Sequence, residues 1–254
     1  MFRKIRIALL LFILFIVAVS TWLSRVRATD WSRTQWLVVY PINGDGHTAT
    51  QEYIHSLSAT TYRPVEEFLT REARHYGLAN EQPIEIHLAP QVDAVPPAPP
   101  QERRGLAVVW WSLRLRYWVL RHDTFDGPGN MKMYVIYHDP QTTRQVQHSL
   151  GLEKGLVGVV NAYADPGMAE TNNVVIAHEF LHLVGATDKY NLATDQPVFP
   201  QGYAEPERQP LYPQQFAEIM GGRIPLSASK AEMPRHLLGV LVGPQTAREI
   251  RWIH

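Results

Sequence analysis

The residues that most directly indicate chemistry lie in the segment Thr171–Tyr190. His178, Glu179 and His182 form the pattern His-Glu-x-x-His. Residues four apart share one face of a helix, so both imidazoles can reach a single metal ion at about 2.0–2.1 Å. Glu179 follows the first histidine, where it can take a proton from a water bound to that ion. The pattern predicts a metal-assisted hydrolytic site.

A helix of about four turns is required to present both imidazoles. Thr171 or Asn172 is expected to cap its N-terminus, and Gly185 is expected to end it in a left-handed conformation. Four apolar residues would anchor another face of this helix in the core. They are Val174, Ala177, Leu181 and Val184.

A third ligand is needed, because catalytic zinc takes three protein ligands and leaves a position for water. The chain contains no cysteine, so the ligand must come from histidine, aspartate or glutamate, and thiolate chemistry is excluded. A turn at Gly185 would swing Asp188 back toward the metal. Glu205, Glu207 and Glu218 are the alternatives, each a distal carboxylate of the gluzincin type.

The stretch from His178 to Asp188 resembles the extended motif of the metzincin clan of zinc metallopeptidases. That motif reads His-Glu-x-x-His-x-x-Gly-x-x-His, and snapalysin-like members have aspartate in the last place. The segment Ile219–Gly221 is similar to the Met-turn that lies beneath the metal in this clan. The remainder of the chain shows no such resemblance.

The resemblance implies a Zn²⁺ ion bound by His178, His182 and Asp188, with Glu179 as general base. It also implies that Met220 is a structural residue under the site. The activity implied is hydrolysis of peptide bonds in a peptide or protein substrate.

Two further expectations accompany this interpretation. The resemblance places the strand Leu156–Val160 at the edge of the sheet that pairs with an extended substrate. Tyr190 either donates a hydrogen bond to the oxyanion or is an ordinary packed tyrosine, and packing is favoured.

The expected fold class is α+β, with a metzincin-like mixed sheet, a zinc-binding active-site helix and a small C-terminal subdomain. Residues 30–254 form the metalloprotease-like domain, whose upper part runs to about 185 and whose subdomain covers about 186–254. Helices are expected at Gln51–Leu57 and Val65–Tyr76, and a polyproline connector at Val95–Pro100. The other predicted strands are Trp36–Tyr40, Ile84–Leu88 and Met133–Tyr137.

A helix from about Arg104 to His122 mixes tryptophans with arginines. This mixture suits either a membrane surface or a core helix whose arginine stems lie along its edge. Packing in the core is favoured, because aromatic-rich helices are usually core helices.

The N-terminal segment 1–29 is expected to be a membrane anchor. Arg3, Lys4 and Arg6 precede an uncharged run of 17 residues, Ile7–Leu23, which as a helix spans about 25 Å. The anchor predicts a single-pass protein whose body faces the periplasm or the extracellular side. The alternative is a signal peptide cleaved near Ala18–Ser20, which would release a secreted protein.

Composition excludes other classes of function. Of 254 residues, 45% are hydrophobic, which suffices for a buried core. Lys and Arg number 24 and Asp and Glu number 24, so no net charge attracts nucleic acid, and no nucleic-acid partner is expected.

The sequence therefore predicts a zinc-dependent peptidase tethered to a membrane. The alternative from another class is a catalytically inactive, metal-binding envelope protein with the same tether. The intact Glu179 argues against that alternative. No feature of the sequence specifies the natural substrate or the oligomeric state.

Overall fold

The computed structural model has a mixed α/β fold built on a five-stranded mixed sheet. It describes residues 6–7, 11–12, 15–16, 19, 23, 26–100, 106–127, 129, 131–146, 149–152 and 155–253. The sheet consists of β1 (Gln35–Asn43), β2 (Ile84–Leu88), β3 (Met131–His138), β4 (Leu150–Leu152) and β5 (Val157–Tyr163). The helices are α1 (Thr48–Ser56), α2 (Arg63–His75), α3 (Leu106–His122), α4 (Ala169–Leu183) and α5 (Pro244–Glu249).

The strands lie in the order β2-β1-β3-β5-β4. The pairs β2/β1, β1/β3 and β3/β5 are parallel, whereas β4 runs antiparallel to β5. Parallel strands need crossover connections. Helices α1 and α2 supply one between β1 and β2, and α3 supplies one from β2 across to β3 on the other side of β1.

The two faces of the sheet are covered unequally. On β1, Leu37 and Val39 point into a large core that α1, α2, α4 and the C-terminal region share. Val38 and Tyr40 point into a smaller core on the opposite face, where α3 contributes Leu115 and Val119. A strand that is buried on both faces has a nearly continuous run of apolar residues in its sequence. This is why strands such as β1 could be predicted from the sequence.

The position predicted for the strand Leu156–Val160 is wrong. A strand forms there, from Val157 to Tyr163, but it lies inside the sheet between β3 and β4. The edge on this side of the sheet is β4, which pairs antiparallel with β5 through Leu150↔Val159 and Leu152↔Val157, and β2 forms the other edge.

The other predicted elements agree with the structure, with shifted ends. The segment Val95–Pro100 has no regular secondary structure, as expected for a polyproline connector. Arg104 lies outside the described residues, and the observed helix α3 begins at Leu106.

The predicted apolar helix over residues 7–23 falls largely outside the residues that the structure describes, so the anchor stays a prediction. In the described part of the chain, no helix is both long enough and apolar enough to cross a membrane. The division into two subdomains near residue 185 also stays a prediction.

The C-terminal region is built from short elements: β6 (Tyr190–Asn191), β7 (Gln196–Pro197), β8 (Ala217–Glu218), β9 (Ile224–Pro225), β10 (Ala231–Glu232) and β11 (Val240–Leu241). Helix α2 holds this region through two adjacent side chains. The carboxylate of Glu72 accepts the backbone N–H of Val242 at 2.9 Å, and the guanidinium of Arg71 donates to the carbonyls of Leu237 and Val240.

We expect Glu72→Ala to lower the free energy of unfolding by about 2–3 kcal/mol, because the buried N–H of Val242 would lose its acceptor. Glu67 is an exposed glutamate on the same helix, and Glu67→Ala should change the value by less than about 0.5 kcal/mol. Urea unfolding measures both variants. Equal effects would show that the Glu72 contact does not hold the C-terminal region.

Candidate metal centre

Helix α4 carries the His-Glu-x-x-His pattern and begins earlier than predicted. It starts at Ala169, directly after a turn of 3₁₀-helix at Pro166–Met168, so the predicted caps Thr171 and Asn172 lie inside it. The side chain of Asn172 instead pairs with both backbone groups of Tyr163, accepting from N at 3.1 Å and donating to O at 2.9 Å. This contact fixes the start of the helix to the end of β5.

The end of α4 agrees with the prediction. Its last residue is Leu183, and Gly185 adopts a φ of 104°, in the region that favours glycine. The four predicted anchor residues, Val174, Ala177, Leu181 and Val184, are all buried. The helix is therefore rigidly packed beneath the two histidines.

The structure brings His178, His182 and Asp188 together. The Nε2 atoms of the two imidazoles are 3.1 Å apart, and Oδ1 of Asp188 lies 3.2 Å from Nε2 of His178 and 3.1 Å from Nε2 of His182. In tetrahedral zinc sites with bonds of about 2.0–2.1 Å, ligand atoms are about 3.3 Å apart. The three atoms thus form a triangle of the size that such a site requires.

Backbone carbonyls fix the tautomer of both rings. The Nδ1–H of His178 donates to the carbonyl of Ile219 at 2.9 Å, and that of His182 donates to the carbonyl of Ala186 at 2.8 Å. A carbonyl oxygen only accepts, so Nδ1 carries the hydrogen and the Nε2 lone pair points into the triangle. Contacts of this kind orient histidine ligands in metal sites.

The triangle attracts positive charge. Two lone pairs and a carboxylate oxygen at about 3 Å repel one another unless a cation or proton lies between them. Burial alone would raise the pKa of Asp188, but the two imidazoles beside its carboxylate hold that pKa well below its usual value. The His-His-Asp group can therefore hold a metal ion. The side chain of Asp188 is 33% exposed, so solvent reaches the site.

The segment that carries Asp188 is clamped on both sides. The N–H of Lys189 donates to the carbonyl of Met220 at 2.9 Å, which places this carbonyl next to the one that orients His178. Glu249 accepts from the N–H of Thr187 at 2.9 Å and from the ammonium of Lys189 at 2.8 Å. Met220 itself is fully buried. The segment Ile219–Met220 therefore supports both the first histidine and the aspartate.

The structure does not bring the distal glutamates into the His-His-Asp group, so it gives no support to the gluzincin-like alternative. Glu218 is fully buried, and its carboxylate accepts from Thr246 and from the N–H groups of Gly221 and Gly243. These bonds brace the turn that carries Met220.

Glu205 and Glu207, the other two candidates, are also outside the His-His-Asp group. Glu205 accepts from Arg208 and from the N–H of Gln215, and Glu207 is exposed. Among the described residues, the group able to hold a metal contains only the two histidines of α4 and Asp188.

Glu179 is buried beside the histidines. Its Oε2 has no hydrogen-bond partner within the part of the chain that the structure describes. Burial raises its pKa, and the neighbouring imidazoles of His178 and His182 offset this only in part. A buried carboxylate with a free oxygen next to a metal site is equipped to accept a proton from a water.

Strand β4 passes directly over the helix. A Cβ added to Gly151 would lie 2.5 Å from Cβ of His182 and 3.1 Å from Oε2 of Glu179. Only glycine lets the edge strand approach so closely. The edge of the sheet and the His-Glu-x-x-His face therefore form one surface.

Tyr190 lies at the rim of the site and is only partly buried. Its ring centroid is 6.2 Å from that of His178. Burial and the charges of Asp188 and Glu179 raise its pKa to about 12, so the phenol keeps its proton. Its role, as an ordinary packed tyrosine or as a donor to the oxyanion, stays a prediction.

No protein-family model matches the chain, and no curated protein matches it. The chain is similar to two crystal structures of wild-type OgpA from Akkermansia muciniphila, with 10% and 11% identity and TM-scores of 0.36 and 0.38. Both matches cover 84% of this chain, which spans 58% of the OgpA chain. These TM-scores are too low for the fold or the function to be inferred from OgpA.

We expect Asp188→Ala to weaken zinc binding by at least about 100-fold, because it removes one corner of the ligand triangle. Glu205→Ala and Glu207→Ala should leave the affinity unchanged. Competition with a chromophoric chelator measures the zinc affinity of all three variants. Unchanged affinity in Asp188→Ala would remove Asp188 from the ligand set.

We expect Gly151→Ala to lower the free energy of unfolding by about 1–3 kcal/mol, because the new Cβ forces β4 away from α4. Gly155→Ala is the matched control, since no atom lies within 4 Å of a Cβ there. Urea unfolding compares the two. If both variants unfold alike, the strand does not depend on this close approach.

Proposed function

We propose that this protein is a zinc-dependent peptidase. The observation that carries the proposal is the convergence of two imidazole nitrogens and one carboxylate oxygen within 3.2 Å of one another, beside the buried carboxylate of Glu179. Two nitrogens and one oxygen suit zinc. Three protein ligands leave one position for water, as in catalytic zinc sites.

When bound, zinc would lower the pKa of a water molecule and polarise the scissile carbonyl. The chain's own residues perform the proton transfers. Glu179 accepts a proton from the attacking water while the water oxygen bonds to the carbonyl carbon of the substrate. The same carboxyl then gives the proton to the nitrogen as the C–N bond breaks. The phenol of Tyr190 supplies a hydrogen-bond donor at the rim for the carbonyl oxygen.

The geometry of β4 supports an extended peptide as substrate. The outer side of β4 faces no other strand among the described residues, which leaves this edge of the sheet open for strand addition. Strand addition gives main-chain affinity, and side-chain pockets give selectivity. Gly151 at the centre of β4 would bring the substrate backbone next to Glu179 and His182.

The resemblance to the snapalysin-like metzincins agrees with this assignment through the position of Asp188, the left-handed Gly185 and the buried Met220.

For localisation, the uncharged run Ile7–Leu23 after a basic start supports a single membrane anchor with the body on the periplasmic or extracellular side. Release by cleavage of that segment would give a secreted enzyme with the same site.

We expect Glu179→Gln to keep zinc and to lower the rate of casein hydrolysis by at least about 100-fold, because an amide cannot accept the proton. Glu170→Gln is the matched control, since Glu170 is an exposed residue of the same helix. Zinc content and initial rates are measured on the same preparations.

Two results would contradict the mechanism. One is a wild-type rate in Glu179→Gln. The other is casein cleavage that persists after a chelator has removed the metal. Zinc binding without cleavage of any peptide tested would favour the inactive metal-binding alternative.

A further inference from the structure

Helix α3 exposes a stripe of large apolar side chains. The six residues, each between 52% and 86% exposed, are Leu106, Val109, Trp110, Leu113, Tyr117 and Leu120. At 100° per residue they fall within an arc of about 100°, which is one face of the helix. We call this set the α3 stripe. Single exposed apolar residues are common, but a contiguous patch marks an interaction surface.

The opposite face of α3 is the one that packs on the sheet. Leu115 and Val119 are buried there, and Trp111 and Trp118 pack against the same small core. The prediction of a core helix is therefore right for this face alone. The α3 stripe faces away from this core and takes no part in packing the helix on the sheet.

Arginines border the α3 stripe. Arg114 and Arg121 lie along one side of it and Arg116 along the other, and all three side chains are exposed. The helix contains no aspartate or glutamate from Leu106 to His122. A helix with an aromatic apolar face and flanking arginines is suited to lie in the interface of a bilayer with anionic headgroups.

The segment that follows the predicted anchor and the segment that follows α3 lead into parallel strands, and Ala28 and Trp31 of the first segment pack in the large core on the other face of the sheet. The run Ile7–Leu23 leads into β1, which begins at Gln35. The segment after α3 leads to the start of β3, the parallel neighbour of β1, with Leu37 opposite Met131. Both therefore enter the sheet at the same end.

We infer that the α3 stripe docks on the surface of an anionic lipid bilayer. The apolar side chains enter the acyl boundary, and Arg114 and Arg121 contact the phosphates. This goes beyond the proposed peptidase activity and does not depend on it. Docking would hold the body against the membrane on the face of the sheet opposite α4.

The absence of cysteine makes the inference directly testable, because a single introduced cysteine carries a spin label at one site. We would label Leu113→Cys in the full chain, reconstituted in vesicles of phosphatidylcholine and phosphatidylglycerol. Collisions with oxygen and with a water-soluble nickel chelate report its depth. The control is Ser229→Cys, at an exposed position of the C-terminal region.

The label at position 113 should lose most of its accessibility to the nickel chelate and gain accessibility to oxygen, while the label at 229 remains accessible to nickel. Equal nickel accessibility at the two positions would overturn the inference. Spin–spin broadening that disappears on dilution with unlabelled chain would overturn it in favour of a second copy on the stripe. Low accessibility of the label at 113 to both oxygen and the nickel chelate would show that protein covers the α3 stripe, and it would also overturn the inference.

A second arm tests the role of charge. Arg114→Gln combined with Arg121→Gln, in the chain labelled at 113, should restore part of the nickel accessibility. In vesicles of phosphatidylcholine alone, the chain labelled at 113 that keeps both arginines should also regain part of its nickel accessibility. Burial that is unchanged in both cases would overturn recognition of anionic headgroups.

Discussion

The site depends on one electrostatic constraint, which is that three electron-rich atoms are held about 3 Å apart. Two imidazole lone pairs and one carboxylate oxygen repel one another, and a cation relieves that repulsion. The surrounding structure must therefore hold His178, His182 and Asp188 against separation. The backbone carbonyls of Ile219 and Ala186 do so for the rings, and the clamp around Lys189 does so for the aspartate.

The fold supplies this rigidity from two directions. Helix α4 is fixed at its start by Asn172, which pairs with the end of β5, and along its length by the large core. The turn at Met220 is fixed by the buried carboxylate of Glu218. The His-Glu-x-x-His motif is local in sequence, but its two histidines are held in place by contacts from both the sheet and the C-terminal region.

The sequence was informative where interactions are local. Helical spacing placed His178 and His182, and the turn at Gly185 pointed to Asp188. The edge strand β4 was missed because Leu150–Leu152 is too short to show alternation. The bracing role of Glu218 and the exposed face of α3 depend on contacts between distant segments, and periodicity alone does not show which face of an apolar helix meets the sheet.

The most direct test of the account is the position of the ion in crystals of the zinc-loaded protein, located by anomalous diffraction on either side of the zinc absorption edge. The account predicts a single strong peak about 2.0–2.2 Å from Nε2 of His178, Nε2 of His182 and a carboxylate oxygen of Asp188, with oxygen from solvent completing the coordination. A peak elsewhere, or one in which a different carboxylate replaces Asp188, would contradict it.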